Sequence, residues 1–273
     1  MKLQKQAKAR SEERAFVIEG IKLFLEAPEE LIKEVYLTEG FHAKFVKDKR
    51  KNTDFESTYG GDRHDKESLI RSKLKSISYE IVSDIVFERM ADTKTPQGII
   101  CVVRQLKHEL SNQTIHLQNH ESPPLYLILE DLNDPGNIGT IFRTAEACGI
   151  TAIIMNKACA DIYNPKTIRA TMGSIFRVPF IYTVDLNSMI SDLSKHNINI
   201  YATSPECAET YDKCDYRGGT AFLIGSESHG LSKNLIDQAS YRVTIPMKGE
   251  VESLNAACAT AIILSEAARQ RRM

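Results

Sequence analysis

Short runs of apolar residues recur at regular intervals through the second half of the chain. They lie at Leu125–Leu129, Ala152–Met155, Phe180–Tyr182, Ile198–Ala202, Phe222–Ile224 and Val243–Ile245. Segments of helix length separate them, near residues 138–148, 165–175, 186–196 and 231–239. Strands that alternate with helices predict an α/β domain, with a parallel sheet covered by helices on both faces. A long helix from about residue 254 to 271 is predicted to close the chain.

The N-terminal part follows a less regular pattern. Residues 16–25 read as a strand followed by a helix, and Val35–Leu37 reads as a short strand. Two further apolar stretches run over residues 81–87 and 98–103. The polar residues 46–68 predict a loop. Together these features predict a second, smaller α/β domain.

A polar segment separates the two parts. Residues 105–123 contain few apolar side chains and run into Pro123-Pro124, a composition that is typical of linkers. We therefore predict an N-terminal domain over residues 1–107, a linker over 108–123 and a C-terminal domain over 124–273.

Composition favours a soluble intracellular protein. Hydrophobic residues make up 42% of the chain and charged residues 26%, which is ordinary for a globular protein. No apolar run is long enough to span a membrane, and none of the six cysteines has the CxxC spacing of zinc or thioredoxin sites. Scattered thiols without a secretory leader fit a reducing compartment. We predict a cytoplasmic location, no membrane partner and no metal.

Basic residues are concentrated near the start of the chain, although the net charge is only −1. Two clusters stand out: Lys2, Lys5, Lys8 and Arg10, and then Lys44, Lys47, Lys49, Arg50 and Lys51. Such clusters bind phosphates and release counterions, so both are candidate nucleic-acid contacts. A solvated surface loop is an alternative interpretation of the second cluster.

Three loops of the C-terminal part are rich in glycine, asparagine and acidic residues. They lie at residues 130–145, 225–230 and 245–255. Each of the three follows a predicted strand, and ligands of parallel sheets bind beyond the carboxyl ends of the strands. The three loops are therefore expected to converge on one ligand site.

Two common nucleotide fingerprints are missing from these loops. A dinucleotide GxGxxG motif would need glycine two places after Gly136, where Ile138 stands, and a P-loop would need Gly-Lys-Ser/Thr. The loops therefore predict a ligand other than a dinucleotide or a triphosphate, which argues against a dehydrogenase with a similar sheet.

Taken together, the three loops resemble the motifs of the SpoU family of RNA 2′-O-methyltransferases over roughly residues 125–270. The first resembles the family's Asn-Ile-Gly…Arg-Thr-Ala motif through Asn137, Gly139, Arg143, Thr144 and Ala145. The second is similar to Gly-x-Glu-x-x-Gly through Gly225, Glu227 and Gly230. The third resembles Ile-Pro-Met…Ser-Leu-Asn through Ile245, Pro246, Met247, Ser253, Leu254 and Asn255. Ser228-His229 departs from the second motif, where small or acidic residues are more usual.

The resemblance implies more than the residue pattern does. It implies a trefoil knot of the SPOUT class in the C-terminal domain, S-adenosyl-L-methionine as cofactor, and a homodimer in which both subunits contribute to each active site. The segments Val17–Gly20 and Thr95–Gly98 resemble the family's auxiliary RNA-binding domain. Because such a domain suggests a large structured substrate, rRNA is preferred to tRNA as the target.

The resemblance also implies roles for individual residues. The residues implied to bind the cofactor are Gly225, Glu227, Ile245, Met247 and Leu254. The residues implied to be catalytic are Asn137, Arg143, Ser253 and Asn255. Asparagine and serine side chains donate and accept hydrogen bonds, which suits them to hold a ribose hydroxyl. Because guanidinium stays protonated, phosphate binding or oxyanion stabilisation is favoured for Arg143 over general-base catalysis.

Structural interpretations of the same residues remain open. Asn137 could cap a helix that begins near residue 138, and Ser253 could cap the last helix. Arg143 could form a surface ion pair with Glu146 or Glu130. A non-catalytic RNA-binding protein that keeps the methyltransferase fold is the alternative function, and the intact polar residues of the motifs argue against it.

Overall fold

The computed structural model describes residues 2–47, 61–106, 122–204, 209–226 and 228–272, with the backbone alone at 61–65. These residues form two compact units. The first unit takes the chain up to Leu106 together with Tyr163–Phe176, and the second takes the remaining described residues. None of the described helices combines the length and the hydropathy that a membrane span requires.

Tyr163–Phe176 belongs to the first unit although it lies far along the chain. Within that unit the Phe16 and Tyr163 rings lie 4.7 Å apart, and the hydroxyl of Tyr163 accepts a hydrogen bond from the amide of Leu106. Most of the segment expected to be a linker, namely its residues 108–121, lies outside the described residues. The division into domains 1–107 and 124–273 stays a prediction.

The first unit is built on a mixed four-stranded sheet. Its strands are β1 (Ala15–Glu19), β2 (Ile32–Thr38), β3 (Glu80–Val82) and β4 (Ile99–Arg104). The strand order is β1-β4-β2-β3, and only the β2–β3 pair is parallel. Its helices are α1 (Lys2–Lys5), α2 (Ala7–Glu13), α3 (Ile21–Glu26), α4 (Glu39–His42), α5 (Gly61–Ser76), α6 (Asp84–Met90) and, from the later segment, α8 (Pro165–Thr171).

The loop predicted over residues 46–68 is wrong at both ends. A π-helix occupies Ala43–Lys47, and α5 begins at Gly61. Ile70 and Leu74 of α5 are buried one helical turn apart, but the surrounding charged residues hide this short apolar stripe from a sequence reading. The Lys73 ammonium donates to the carbonyls of Leu25 and Ala27 at the end of α3, and burial lowers its pKa.

The second unit contains the predicted parallel sheet. Its strands are β5 (Leu125–Leu129), β6 (Ala152–Asn156), β7 (Phe180–Thr183), β8 (Asn199–Thr203), β9 (Thr220–Ile224) and β10 (Tyr241–Val243). Its helices are α7 (Pro135–Ala147), α9 (Leu186–Lys195), α10 (Lys233–Gln238) and α11 (Ala256–Arg271). All strand pairs are parallel, in the order β10-β8-β9-β5-β6-β7. The strand expected at Val243–Ile245 begins two residues earlier and ends at Val243.

The core of the second unit explains its apolar sequence. Every residue of β5 and β9 is buried, as expected for parallel strands that are covered on both faces. Tyr126 and Ile128 of β5 belong to a cluster that includes Ile190 of α9 and Leu235 of α10. Helices α7 and α11 pack against each other. The result is the layered α/β domain that the alternation of strands and helices predicts.

The direction in which the chain crosses the sheet reverses between β5 and β9. From β5 the chain passes through α7 to β6 on one side, whereas from β9 it passes through α10 to β10 near the opposite edge. The loops after these two neighbouring strands therefore lead in opposite directions. Such a point, beyond the carboxyl ends of the strands, is where open α/β sheets bind ligands.

Candidate active site at the carboxyl edge of the sheet

The loop after β5 fixes the start of α7. Asp134 is the N-cap, and its side chain accepts a hydrogen bond of 2.8 Å from the amide of Asn137. Pro135 follows at the first helical position, where its missing N–H costs nothing. Asn137 therefore lies in the first turn of α7 and is not the cap, which corrects the capping interpretation and leaves its side chain for other contacts.

The loop after β9 is a tight turn. The amide of Gly230 donates to the carbonyl of Ser226 over 2.9 Å, and Gly230 has a positive φ of 65°. A Cβ at Gly225 would overlap backbone atoms of Gly230 and Leu231. Only glycine lets the chain pass so close to itself here. Glu227, which was expected to bind the cofactor, lies outside the described residues.

A carboxylate joins the first loop to the second. Glu130, directly after β5, accepts a hydrogen bond of 2.7 Å from the amide of Ser232 at the start of α10. The Ser232 side chain makes no capping bond itself, so Glu130 supplies the acceptor that the first turn of a helix requires. This contact holds the second loop against the end of β5.

An asparagine pair joins the first loop to the third. Asn255 is the N-cap of α11, and its Oδ1 accepts from the amides of Ala257 at 3.0 Å and Cys258 at 3.3 Å. Its Nδ2 donates to Oδ1 of Asn137 over 3.1 Å. The cap of α11 is therefore Asn255 and not Ser253, where it was expected. The Asn255 side chain both caps α11 and orients Asn137.

A cavity of about 400 Å³ opens between the second and third loops and α11. Five of the residues expected at the site line it: Gly225, Ile245, Met247, Ser253 and Leu254. Its lining also includes residues that the motifs did not indicate: Thr203, Ser204, Ser226, His229, Leu231, Ile236, Thr244, Ala256 and Ala259. Thr203 and Ser204 lie at the end of β8, so the strand-end rule that located the other loops applies to them as well.

Arg143 lies outside the cavity lining, as do Asn137 and Asn255. It is exposed on α7, six residues or about 1.7 turns beyond Asn137. Neither ion pair considered for it is formed, because Glu146 pairs with Arg177 and Glu130 binds the amide of Ser232. Among the described residues no carboxylate pairs with Arg143, so its guanidinium can contact a ligand.

Arg10 of the first basic cluster and Arg169 of α8 are engaged in structural interactions. Arg10 is buried, and its guanidinium donates to the carbonyls of Leu3 at 2.7 Å and Gln4 at 3.1 Å, so it stabilises the N-terminal helices. Arg169 forms an ion pair with Asp92. The remaining members of the first cluster, Lys2, Lys5 and Lys8, are exposed. Residues 49–51 of the second cluster lie outside the described residues.

A larger cavity, of about 860 Å³, lies at the opposite end of the sheet. Its lining includes Pro123, Gly149 and Arg271, and none of the residues expected at the site. The ends of α7 and α11 that meet there are C-terminal, where the helix dipole is negative. The carboxyl edge of the sheet, with its three motif loops, is the stronger candidate for the chemistry.

Comparisons with known proteins match both units. The SpoU rRNA Methylase family model matches residues 124–265, and the MRM3-like substrate binding domain model matches residues 1–101. An uncharacterized tRNA/rRNA methyltransferase of Synechocystis is 33% identical over 205 residues, which cover 74% of this chain and 71% of the relative. The 23S rRNA (guanosine-2′-O-)-methyltransferase RlmB of Haemophilus influenzae is 31% identical, over 71% of this chain and 80% of that protein.

The solved structures agree with the sequence comparison. The crystal structure of an AdoMet-bound rRNA methyltransferase from Sinorhizobium meliloti is 26% identical and has a TM-score of 0.77. The match covers 98% of this chain and 92% of that one.

Proposed function

The chain belongs to the SpoU rRNA methylase family, and from this premise we propose that it methylates a ribose 2′-hydroxyl of ribosomal RNA. S-adenosylmethionine supplies an electrophilic methyl group bound to a sulfonium. The observation that carries the proposal is the convergence of the three motif loops, with Asn137 hydrogen-bonded to Asn255 beside the 400 Å³ cavity. The RlmB relative, which is named as a guanosine 2′-O-methyltransferase of 23S rRNA, supports the choice of substrate.

The cavity fits the adenosine part of the cofactor. Ile245, Met247 and Leu254 give it apolar walls, and its size lies within the range of small-ligand pockets. Backbone at Gly225 can approach a flat base closely because no side chain intervenes. We assign Glu227 to the same site from its place in the second motif.

We assign the chemical step to the polar residues beside the cavity. The side-chain amides of Asn137 and Asn255 hold the ribose hydroxyl, and the hydroxyl of Ser253 on the cavity lining adds a further donor. The hydroxyl oxygen gains a methyl group as it loses its proton, which passes to a phosphate oxygen or to water. Arg143 stabilises the developing oxyanion or binds the adjacent phosphate.

The proposed substrate can be tested by supplying methyl-labelled S-adenosylmethionine with unmodified rRNA and unmodified tRNA in parallel. We expect label in rRNA and only background label in tRNA. Labelled tRNA with unlabelled rRNA would contradict the proposed target and would leave the methyltransferase assignment standing.

We further propose that the N-terminal unit binds the RNA. Its match to a substrate binding domain and its exposed Lys2, Lys5 and Lys8 support this role. Changing Lys49, Arg50 and Lys51 together to glutamine should lower the magnitude of the slope of log affinity against log salt by about two to three, since each phosphate contact contributes ~0.7–0.9. RNA binding measured between 50 and 200 mM salt (roughly the range where such slopes are read) checks this. An unchanged slope would make the second cluster a solvated loop.

We also propose a homodimer. The support for it is the family resemblance, since Ala256 and Ala257 at the start of α11 are already buried within the chain and Ala259 lines the cavity. Light scattering should therefore give about twice the 30.7 kDa mass of one chain. A monomer with full activity would contradict a site shared between subunits.

The cytoplasm is the proposed location of the reaction. The five described cysteines are all free thiols, which suits a reducing compartment. The trefoil knot that the family resemblance implies stays a prediction.

A further inference from the structure

Glu130 is hydrogen-bonded to the chain at both ends of the second loop. Its backbone amide donates to the carbonyl of Ile224 over 3.0 Å, directly before Gly225, where the loop begins. Its carboxylate accepts from the amide of Ser232 over 2.7 Å, directly after Leu231. Gly225 and Leu231, the residues next to these two bonds, both line the cavity. One residue at the end of β5 therefore fixes the two points between which this wall of the cavity lies.

The carboxylate bond supplies a contact that the sequence of α10 does not provide. In a capping box, the backbone amide of the N-cap residue is paired by a Glu or Gln side chain three residues further on. Ser232 is the N-cap of α10, and the residue three positions on is Leu235, which is buried in the core. Glu130 takes the place of that side chain from 102 positions away. The start of α10, and with it the end of the second loop, is thus fixed by the first loop.

The bonds inside the second loop set its shape but not its place. The amide of Gly230 donates to the carbonyl of Ser226 and closes the turn, which joins two residues of the loop only to each other. The other walls of the cavity come from the end of β8, the third loop and α11. A ligand that lies between those walls and the turn requires the turn to stand at a fixed distance from them. The Glu130 carboxylate provides this constraint at the C-terminal end of the loop.

We propose that Glu130 is a positioning residue for the cofactor, and that its hydrogen bond to the Ser232 amide holds the second loop in the place from which the loop binds the cofactor. The inference rests on the proposed function. Glu130 lies outside the described lining of the cavity, so it acts through the loop. Its effect is therefore equal for S-adenosylmethionine and S-adenosylhomocysteine, which share the adenosine part. A direct contact between the carboxylate and the sulfonium would instead favour the methyl donor.

Three variants test the bond from both of its sides. Glu130→Ala should weaken the binding of both ligands by about tenfold, the lower end of the usual effect of losing a hydrogen bond to a charged group, because this bond is exposed. Glu130→Gln keeps an oxygen that can accept from the Ser232 amide and should stay within about threefold of the wild type. Ser232→Pro removes the donor instead, and Ser232 has a φ of −62°, which proline also adopts. It should cause the same loss as Glu130→Ala.

Calorimetric titration of the full-length protein with each ligand measures these affinities without RNA or turnover. Glu130→Ala and Ser232→Pro remove the same bond, so the double variant should bind within about twofold of either single variant. The matched control is Asp237→Ala, which removes a carboxylate of α10 that pairs with Arg242 and lies outside the described cavity lining. It should bind both ligands within about twofold of the wild type. Circular dichroism shows whether each variant folds, and Ser232→Pro tests the bond even where Glu130→Ala does not fold.

A kinetic measurement separates positioning from chemistry. At a saturating concentration of S-adenosylmethionine, Glu130→Ala should transfer the methyl group at a rate within about threefold of the wild type, because the lost interaction contributes to binding and not to the chemical step. A lower rate at saturation with unchanged affinity would place Glu130 in the chemical step and would overturn its positioning role.

The outcomes also separate this inference from the function on which it rests. Wild-type affinity in Glu130→Ala, an equal loss in Asp237→Ala, or additive losses in the double variant would overturn the role of the bond and leave the methyltransferase assignment standing. A loss confined to S-adenosylmethionine would show a direct charge contact in place of positioning. If neither ligand binds the wild type, the assigned cofactor itself fails, and the inference falls with it.

Discussion

Replacing Arg143 with alanine should lower the rate of methyl transfer by about a hundredfold or more, the usual effect of removing one donor to a developing oxyanion. The fold should survive, because Arg143 is exposed and no described carboxylate pairs with it. S-adenosylhomocysteine should bind with nearly unchanged affinity, since Arg143 is not part of the cavity lining. Single-turnover rates and a calorimetric titration measure the two quantities separately.

Two further variants show whether charge or geometry matters at this position. Arg143→Lys keeps the charge but loses the planar guanidinium fork, so an intermediate rate is expected if the contact is to phosphate. The control variant Arg177→Ala removes the arginine that pairs with Glu146, a residue of the same helix as Arg143. It should retain near-normal turnover. Near-normal turnover of Arg143→Ala itself would remove Arg143 from the proposed machinery.

The asparagine pair can be probed in the same assay without disturbing the helix start. Asn255→Asp keeps the oxygen that caps α11 but lacks the Nδ2 donor to Asn137. It should therefore fold like the wild type and lose most methyl transfer, as should Asn137→Ala. Asn255→Ala removes the cap as well, which costs about 1 kcal/mol in addition. Full activity of Asn255→Asp would show that capping is the whole role of Asn255.

Replacing Gly225 with alanine should weaken cofactor binding by about a hundredfold or more. A methyl group there overlaps the backbone of Gly230 and Leu231, so the turn that forms one wall of the cavity must move. Backbone atoms cannot move aside as the end of a flexible side chain can, and the close packing of this loop leaves little room for such a movement. Calorimetric titration with S-adenosylhomocysteine measures the loss, and circular dichroism shows whether the fold remains.

Gly249→Ala is the matched control in the third loop. A Cβ at Gly249 meets no atom within 4 Å, and its φ is not in the left-handed region. This variant should therefore bind the ligand with an affinity within about twofold of the wild type. If Gly225→Ala bound the ligand as tightly as the wild type, the site would not need the close approach of Gly225 to the backbone of Gly230 and Leu231.

The sequence predicts best those elements that have a single strong residue pattern, such as a continuous apolar run. The strands β5 and β9 are continuous apolar runs because both faces of the sheet are covered. Their order along the chain then places the three motif loops at one edge. The convergence of Gly225, Ile245 and Leu254 on one cavity was therefore accessible from the sequence.

Other features depend on contacts between residues far apart in the chain. Glu130 binds the amide of Ser232, 102 positions away, and no local pattern indicates such a bond. Helix α5 was missed because its charged residues outweigh the buried Ile70 and Leu74. The start of α7 at Pro135, by contrast, has a local signal, because Asp134-Pro135 is an N-cap residue followed by proline at the first helical position.

Methyl transfer to a ribose 2′-oxygen of rRNA leaves a chemical mark that distinguishes it from methylation of a base. The most direct measurement supplies methyl-labelled S-adenosylmethionine and unmodified rRNA, and then digests the RNA with alkali. A 2′-O-methyl group blocks cleavage of the adjacent phosphodiester, so we expect label in alkali-resistant dinucleotides with the wild type and about a hundredfold less in the same short incubation with Arg143→Ala. Label released entirely in mononucleotides would place the methyl group on a base and would contradict 2′-O-methylation by this protein.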